Sequence, residues 1–297
     1  HTGAGTLQLA TNTLTVAGDF INTAGTFDAN NLDMTIAGYY NNTGATFSYG
    51  STGNTVTFNS GSTGFQLLGP MTGTSKFYNL TFNNAAGGWT FMAAAEVVND
   101  FTVTAGAVTA PSSTLTVGRN FTNTPGTTTS FNKNSGTVVL NTTTTAVING
   151  NITFYSLTST TSTKIIQVDT ATTVTTTSGG VLTLTNVTIT RESGDSGSWT
   201  INHQGTESIS GTTISWSACH GSSTDIDAPT TSSNVDGGNN GVCWIFTAGI
   251  TVAGVVYLND ETTADGTGYT IKSSVNGGTA SSSTSNGSGV FSFNTAT

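Results

Sequence analysis

Two cysteines are the residues best suited to form a covalent link in this chain. Cys219 and Cys243 are the only cysteines among its 297 residues. An even pair fits one disulfide in an oxidising compartment. A zinc site is the less favoured alternative, because His220 adjoins Cys219 but no CxxC or zinc-type spacing is present. We therefore predict a Cys219–Cys243 disulfide, which would close a loop of about 24 residues and contribute roughly 3 kcal/mol.

Carboxylates are the second group that could do chemistry, but in most of the chain they stand alone. A polysaccharide lyase or hydrolase needs clustered acids, or Ca²⁺ with a basic residue. We expect solvated turn residues and no catalytic residue at the isolated acids, which are Asp19, Asp28, Asp33, Glu96, Asp100 and Asp169.

A denser acidic stretch near the disulfide offers a candidate cation site. Asp225, Asp227 and Asp236 could bind Ca²⁺ together with Asn and Gly carbonyls. The spacing is not that of an EF-hand, and ordinary turn chemistry explains the same residues. We therefore predict no cofactor, with Ca²⁺ as the alternative at these aspartates.

Histidine and tryptophan give no recognisable site. His203 and His220 have no accompanying nucleophile motif such as GxSxG, so we expect them on an ordinary polar surface. The tryptophans share no common row, which favours packing in a core or cap over a sugar-stacking face. They are Trp89, Trp199, Trp216 and Trp244.

Charge is scarce. Charged residues make up 7% of the chain, against roughly 25% in average soluble domains. The net charge is −9, and only six bases are present, scattered singly. Nucleic-acid binding and an anionic membrane surface both need clustered bases, so we expect neither. No apolar run approaches the ~18 residues of a membrane-spanning helix, so we expect no membrane insertion.

Internal repeats indicate the architecture. The segment Leu14–Phe27 aligns without a gap with Met34–Phe47, 20 residues later, and a third copy begins at Leu115. A second unit, Phe77–Phe82, resembles Phe154–Ser159. Such short units nested in a longer block are typical of stacked coils.

Within each unit, apolar residues alternate with polar ones, as in Leu14-Thr15-Val16, and Gly/Asn clusters follow. This is strand periodicity with turns. Stacked strands lie ~4.8 Å apart, where like charges would repel, so neutral outward Thr suits a solenoid. We predict an all-β fold, a parallel β-helix (β-solenoid).

The units Leu-Thr-Val-x-Gly-x-Phe-x-Asn-Thr, Gly-x-Val-x-Phe-Asn and Phe-Tyr-x-Leu-Thr resemble those of bacterial surface and adhesin-like β-helix proteins of the filamentous-haemagglutinin type. The resemblance covers residues 5–246. It implies a right-handed helix and a secreted, surface-exposed structural or adhesive role, and it brings no catalytic residues.

Two regions are predicted. Residues 1–246 form the β-solenoid, with a disulfide-containing cap region at 190–246. Residues 247–297 resemble the opening half of an Ig-like or carboxypeptidase-regulatory-like sandwich, a partial β-sandwich or donor-strand segment. The residues predicted to mediate assembly are Ile250, Val252, Val255, Tyr257, Val290, Phe291 and Phe293.

These expectations lead to a structural function without catalysis. We predict an extracellular or cell-surface protein, the subunit of a fibre, filament or sheath that assembles with itself through its solenoid ends and C-terminal strands. The first alternative is an adhesin that binds a glycan or host surface. The second is a polysaccharide lyase or hydrolase on a β-helix.

Overall fold

A computed structural model describes residues 1–127, 129–247, 250–256, 268–273, 281–288 and 290–295. It confirms the predicted all-β class. The protein is a parallel β-solenoid of about 11 turns, followed by two small antiparallel sheets. Two short 3₁₀ helices, Gly73–Ser75 and Thr230–Ser232, interrupt the strands. Over the described ranges, we find no helix with the length and apolar character needed to span a membrane.

The solenoid strands, in chain order, are β1 (Thr6–Gln8), β2 (Leu14–Val16), β3 (Phe20–Ile21), β4 (Thr26–Asp28), β5 (Met34–Ile36), β6 (Tyr40–Asn41), β7 (Thr46–Ser48), β8 (Thr55–Phe58), β9 (Phe65–Leu68), β10 (Asn79–Phe91), β11 (Ala95–Val97), β12 (Phe101–Thr109), β13 (Thr114–Val117), β14 (Phe121–Asn123), β15 (Phe131–Asn132), β16 (Thr137–Leu140), β17 (Ala146–Asn149), β18 (Ile152–Phe154), β19 (Ser156–Ser159), β20 (Ile165–Val168), β21 (Thr173–Thr176), β22 (Val181–Thr185), β23 (Thr188–Arg191), β24 (Trp199–His203), β25 (Thr206–Ser210), β26 (Thr213–Ile214), β27 (Ser217–Cys219), β28 (Ile226–Asp227), β29 (Val235–Asp236) and β30 (Trp244–Ile245). The antiparallel strands are β31 (Ile250–Val255), β32 (Thr270–Ser273), β33 (Ser281–Thr284) and β34 (Val290–Thr295).

Each coil of the solenoid contributes strands to three faces. The first face contains β2, β5, β8, the start of β10, the start of β12, β14, β17, β20, β23, β26 and β29 in that order. The second face begins with β3, β6 and β9 and ends with β18, β21, β24 and β27. The third face contains β1, β4 and β7, and then β11, β13, β16, β19, β22 and β25. The predicted boundary at 246/247 lies between β30, the last parallel strand, and β31.

The first two repeat copies stack as the alignment predicts. Leu14 pairs with Met34 and Val16 pairs with Ile36, so the 20-residue offset is one coil. The third copy lies on a different face from the first two. Leu115 pairs with Ala95 and Val138 on the third face. The repeated motif therefore describes a strand, a corner and the next strand, and the same motif serves at different corners of the coil.

Outward side chains on the first face form an unbroken row of threonines. One threonine per coil pairs in register with the next over six coils: Thr15, Thr35, Thr57, Thr81, Thr102 and Thr122. A neutral β-branched side chain at each position avoids the repulsion that stacked charges would meet at about 4.8 Å. The low charge content of the chain thus follows from its stacking.

Inward side chains form a continuous core of stacked apolar residues. Phe121 is fully buried, and its ring centroid lies 4.8 Å from that of Phe101, 5.1 Å from Phe131 and 5.4 Å from Phe154. Phe101 lies in the coil before that of Phe121 and Phe154 in the coil after it, whereas Phe131 lies in the same coil, so aromatic packing joins three successive coils.

Glycine recurs at a corner because successive coils approach closely there. A Cβ built on Gly38 would lie 2.5 Å from the carbonyl carbon of Gly18 in the coil before it. That distance is far inside van der Waals contact, so glycine is required. The glycine that the repeat places at both 18 and 38 therefore marks a point where the backbones of two coils approach closely.

Candidate functional site

The predicted disulfide lies where the last coils of the solenoid meet. Cys219 ends β27 and Cys243 precedes β30, and the structure places their sulfur atoms 1.98 Å apart, at disulfide distance. Trp244 is buried, and its Nε1 donates a hydrogen bond to Ser217 Oγ at 2.9 Å. The covalent link and the indole together join the last two coils.

Reduction of this disulfide should lower the stability of the C-terminal coils by about 3 kcal/mol, because the link closes a 24-residue loop. We expect a lower urea midpoint when the wild-type protein is unfolded with a thiol reductant present. The Cys219→Ser/Cys243→Ser double variant serves as control, since its midpoint should not respond to the reductant. A wild-type midpoint that is the same with and without reductant would show that the link adds nothing.

The tryptophans pack as expected with one exception. Trp89 and Trp199 are buried in the core, and Trp244 is buried in the last coil. Trp216 is half-buried, and the guanidinium carbon of Arg191 lies 3.6 Å from its ring centroid. This is cation–π geometry, which the spacing of the tryptophans did not indicate.

The three aspartates considered for Ca²⁺ do not converge. Asp227 is on β28 and Asp236 is on β29, in different sheets, and all three carboxylates are exposed. Asp236 Oδ1 accepts hydrogen bonds from Gly238 N at 2.9 Å and Asn240 Nδ2 at 2.7 Å. That is the chemistry of a turn. Within the part of the chain that is described, these aspartates form no group of ligand atoms close enough to share an ion.

The carboxylates that do converge were not predicted. Asp169 and the pair Glu192 and Asp195 follow strands of adjacent coils, and their oxygens lie within 4.8 Å of one another. Burial, with Asp195 and Asp169 nearby, raises the pKa of Glu192. Asp195 Oδ2 accepts a hydrogen bond from Thr170 N at 3.1 Å, and Asp169 Oδ1 accepts one from Ala171 N at 2.8 Å. Three carboxylate oxygens are hard ligands of the type Ca²⁺ prefers, but two of these groups already bind corner amides, so we assign no ligand.

His203 lies in the core, which corrects the prediction that it is on a polar surface. Its Nδ1 is 2.6 Å from Thr176 Oγ1, and its Nε2 is 3.0 Å from Glu207 Oε2. Glu207 Oε1 in turn accepts a hydrogen bond from Asp227 N at 3.0 Å. The order hydroxyl, imidazole, carboxylate is that of a catalytic triad. However, both Thr176 and His203 are completely buried, so the row connects coils and presents no nucleophile to a substrate.

Lys164 is a fully buried base at a corner between the third and first faces. Its Nζ donates hydrogen bonds to Gly118 O at 2.8 Å and Thr142 Oγ1 at 3.3 Å. In the described residues no carboxylate forms an ion pair with it. Burial lowers its pKa to about 8. Lys164 therefore connects three coils, at an electrostatic cost that no counter-ion offsets.

The N-terminal end of the solenoid exposes residues that other coils bury. Met34 and Ile36 are completely buried, whereas their partners in the coil before, Leu14 and Val16, are only partly so. Leu7, on β1, is 48% exposed. Among the described strands, β1 and β2 each pair on one side only. This end, which we call the open end, therefore combines unpaired strand edges with apolar side chains.

The residues predicted to mediate assembly belong to β31 and β34, with one exception. These strands pair antiparallel, with Val252 opposite Phe293 and Val255 opposite Val290. Ile250 begins β31, and Phe291 is half-buried on β34. Val255 and Val290 are exposed. Tyr257 lies outside the described residues.

Comparison with known proteins identifies no relative: no family model, curated protein or solved structure matches this chain.

Proposed function

We propose that this protein is an extracellular structural subunit, whose solenoid ends join copies head to tail into a surface fibre, filament or sheath. The observation that carries the proposal is the open end. Unpaired backbone edges beside the exposed Leu7 and the half-buried Leu14 and Val16 form a template for another parallel strand. A second solenoid coil would satisfy the backbone groups and bury the apolar side chains together.

Among the described strands, the opposite end also has one that pairs on one side only. Strand β29 ends the first face and is exposed on both residues, and Val235 and Val242 are 51% and 92% exposed. Joining one end to the other keeps every strand parallel. Because the two surfaces differ, such a contact is heterologous and extends into a filament where the rotation does not close a ring.

Composition supports a location outside the cell. The cysteine pair at disulfide distance fits an oxidising compartment. Single bases such as Lys76 and Arg119 form ion pairs with Glu96 and Asp100, which gives nucleic acid no basic patch to bind. The partner that this surface favours is another copy of the chain.

Electron microscopy and sedimentation of the full chain at physiological salt test the proposal. We expect uniform fibres for the wild type. Leu7→Asp should prevent them, because it places a charge at the edge where the next coil would stack. The matched control is Val181→Asp, an exposed valine on β22 of the third face. Single rods at every concentration, or fibres of normal length from Leu7→Asp, would contradict assembly through this end.

A further inference from the structure

A concave surface on the outside of the third face combines an aromatic ring with polar side chains. It is an open groove of about 290 Å³ on the second and third coils. That is close to the lower limit of ~300 Å³ for small-molecule sites. We call it the tyrosine cleft, and its side chains come from Thr46, Ser48, Tyr49, Thr74 and Lys76.

The aromatic side chain of the tyrosine cleft is Tyr49, and the core and Tyr78 hold its ring in place. Tyr49 is half-buried and packs against the core, and its ring centroid lies 5.4 Å from that of Tyr78. The Tyr78 ring lies directly on the backbone of Gly53, where any Cβ would overlap it. A ring fixed in this way loses little conformational entropy when a ligand stacks on it.

The positive charge of Lys76 in the cleft is paired with the carboxylate of Glu96. Lys76 Nζ lies 3.1 Å from Glu96 Oε1, and Glu96 Oε2 accepts a hydrogen bond from Gly73 N at 3.3 Å. On the opposite wall, Ser48 Oγ donates a hydrogen bond to Asp28 Oδ1 at 3.0 Å. The cleft therefore offers donors and acceptors without a net positive charge for an anion.

We propose that the tyrosine cleft binds one unit of a neutral saccharide. The negative face of the Tyr49 ring attracts the polarised C–H groups on the flat side of a pyranose. Lys76 and the hydroxyls of Thr46 and Thr74 then supply hydrogen bonds to the sugar hydroxyls. An anionic sugar is disfavoured, because Lys76 is already paired and the chain carries a net charge of −9. This inference does not depend on fibre assembly.

Saturation-transfer NMR with the full chain tests the proposal. The probes are the methyl glycosides of glucose, galactose, mannose and N-acetylglucosamine. A single site of this size should bind at least one of them at about millimolar affinity, which corresponds to roughly −4 kcal/mol. Absence of transfer to all four would overturn the proposal.

Three variants then locate the site. Tyr49→Ala should abolish the signal, whereas Tyr49→Phe should keep it because the ring remains. Tyr39→Ala is the matched control, since Tyr39 is 39% exposed and packs against Phe65 instead. Unchanged binding by Tyr49→Ala would overturn the assignment, as would equal losses in Tyr49→Ala and Tyr39→Ala. Loss of binding by Tyr49→Phe would also contradict stacking as the basis of recognition.

Discussion

Replacing Phe121 with alanine should lower the free energy of unfolding by about 3–5 kcal/mol, as deletion of a buried aromatic side chain commonly does. The ring is fully buried and contacts Phe101, Phe131 and Phe154. In a solenoid, stability is carried by contacts between neighbouring coils. The cavity would therefore weaken the contacts between the coil that contains Phe121 and the coils on both sides of it. Urea unfolding followed by circular dichroism measures the loss of stability.

Thr122→Ala is the control for this change. Thr122 is the next residue along β14, and its side chain points outward and is half-buried. Truncation there should change the unfolding free energy by only about 0.5 kcal/mol. Equal midpoints for the two variants would show that the inward aromatic column contributes no more than the outward threonine row.

Replacing Lys164 with methionine should stabilise the protein at pH 7. The pKa of Lys164 is about 8 in the folded chain, against 10.5 for an unperturbed lysine. Below pH 8 the amine is charged in both states, and the full cost of burying that charge opposes folding. The difference in pKa corresponds to roughly 3 kcal/mol. The substitution removes this cost, and it also removes two hydrogen bonds worth about 1 kcal/mol each. Gly118 O is not left without a partner, because it still accepts a hydrogen bond from Thr142 Oγ1.

The sign of the pH dependence follows from the same two values. Between pH 8 and 10.5 the unfolded chain binds more protons than the folded one at Lys164, so this residue's contribution to stability rises with pH. The advantage of Lys164→Met should therefore shrink across this interval. Thermal unfolding of both proteins from pH 7 to pH 11 measures it, with the exposed Lys272→Met as control. A difference that stays constant across that interval would mean that the buried amine does not titrate there.

Alternation and repetition are local in the sequence, and they were enough to predict the coil. The period of two in Leu14-Thr15-Val16 identifies the inward row, and the match with Met34 gives the length of the first coil. The face on which a repeat copy lies depends on the lengths of all earlier coils. The length of a coil varies: it is 20 residues from Leu14 to Met34 and 27 residues from Phe121 to Ile148. The sequence match at Leu115 therefore does not show on which face that copy lies.

The same variable length hides which polar residues meet across coils. Asp169 and Glu192 belong to adjacent coils, but no fixed period connects their numbers. His203 could have been predicted correctly, because Trp199, Ile201 and His203 alternate along β24 and the first two are plainly core residues. Its partner Thr176 also occupies an inward position, at the end of β21. The alternation predicts that His203 and Thr176 are both buried. That their side chains pair with each other is seen only in the structure.

The link between Cys219 and Cys243 also determines how the rod responds to tension. Force along the solenoid axis loads the backbone hydrogen bonds between coils one after another, so an end coil can be peeled away. A pull applied beyond Cys243 passes through the sulfur atoms to Cys219 and bypasses the segment between them, a sequence separation of 24. Fully extended, that segment is about 80 Å long. In the oxidised protein this segment cannot extend under tension. In a reducing environment the disulfide is broken and the segment can extend.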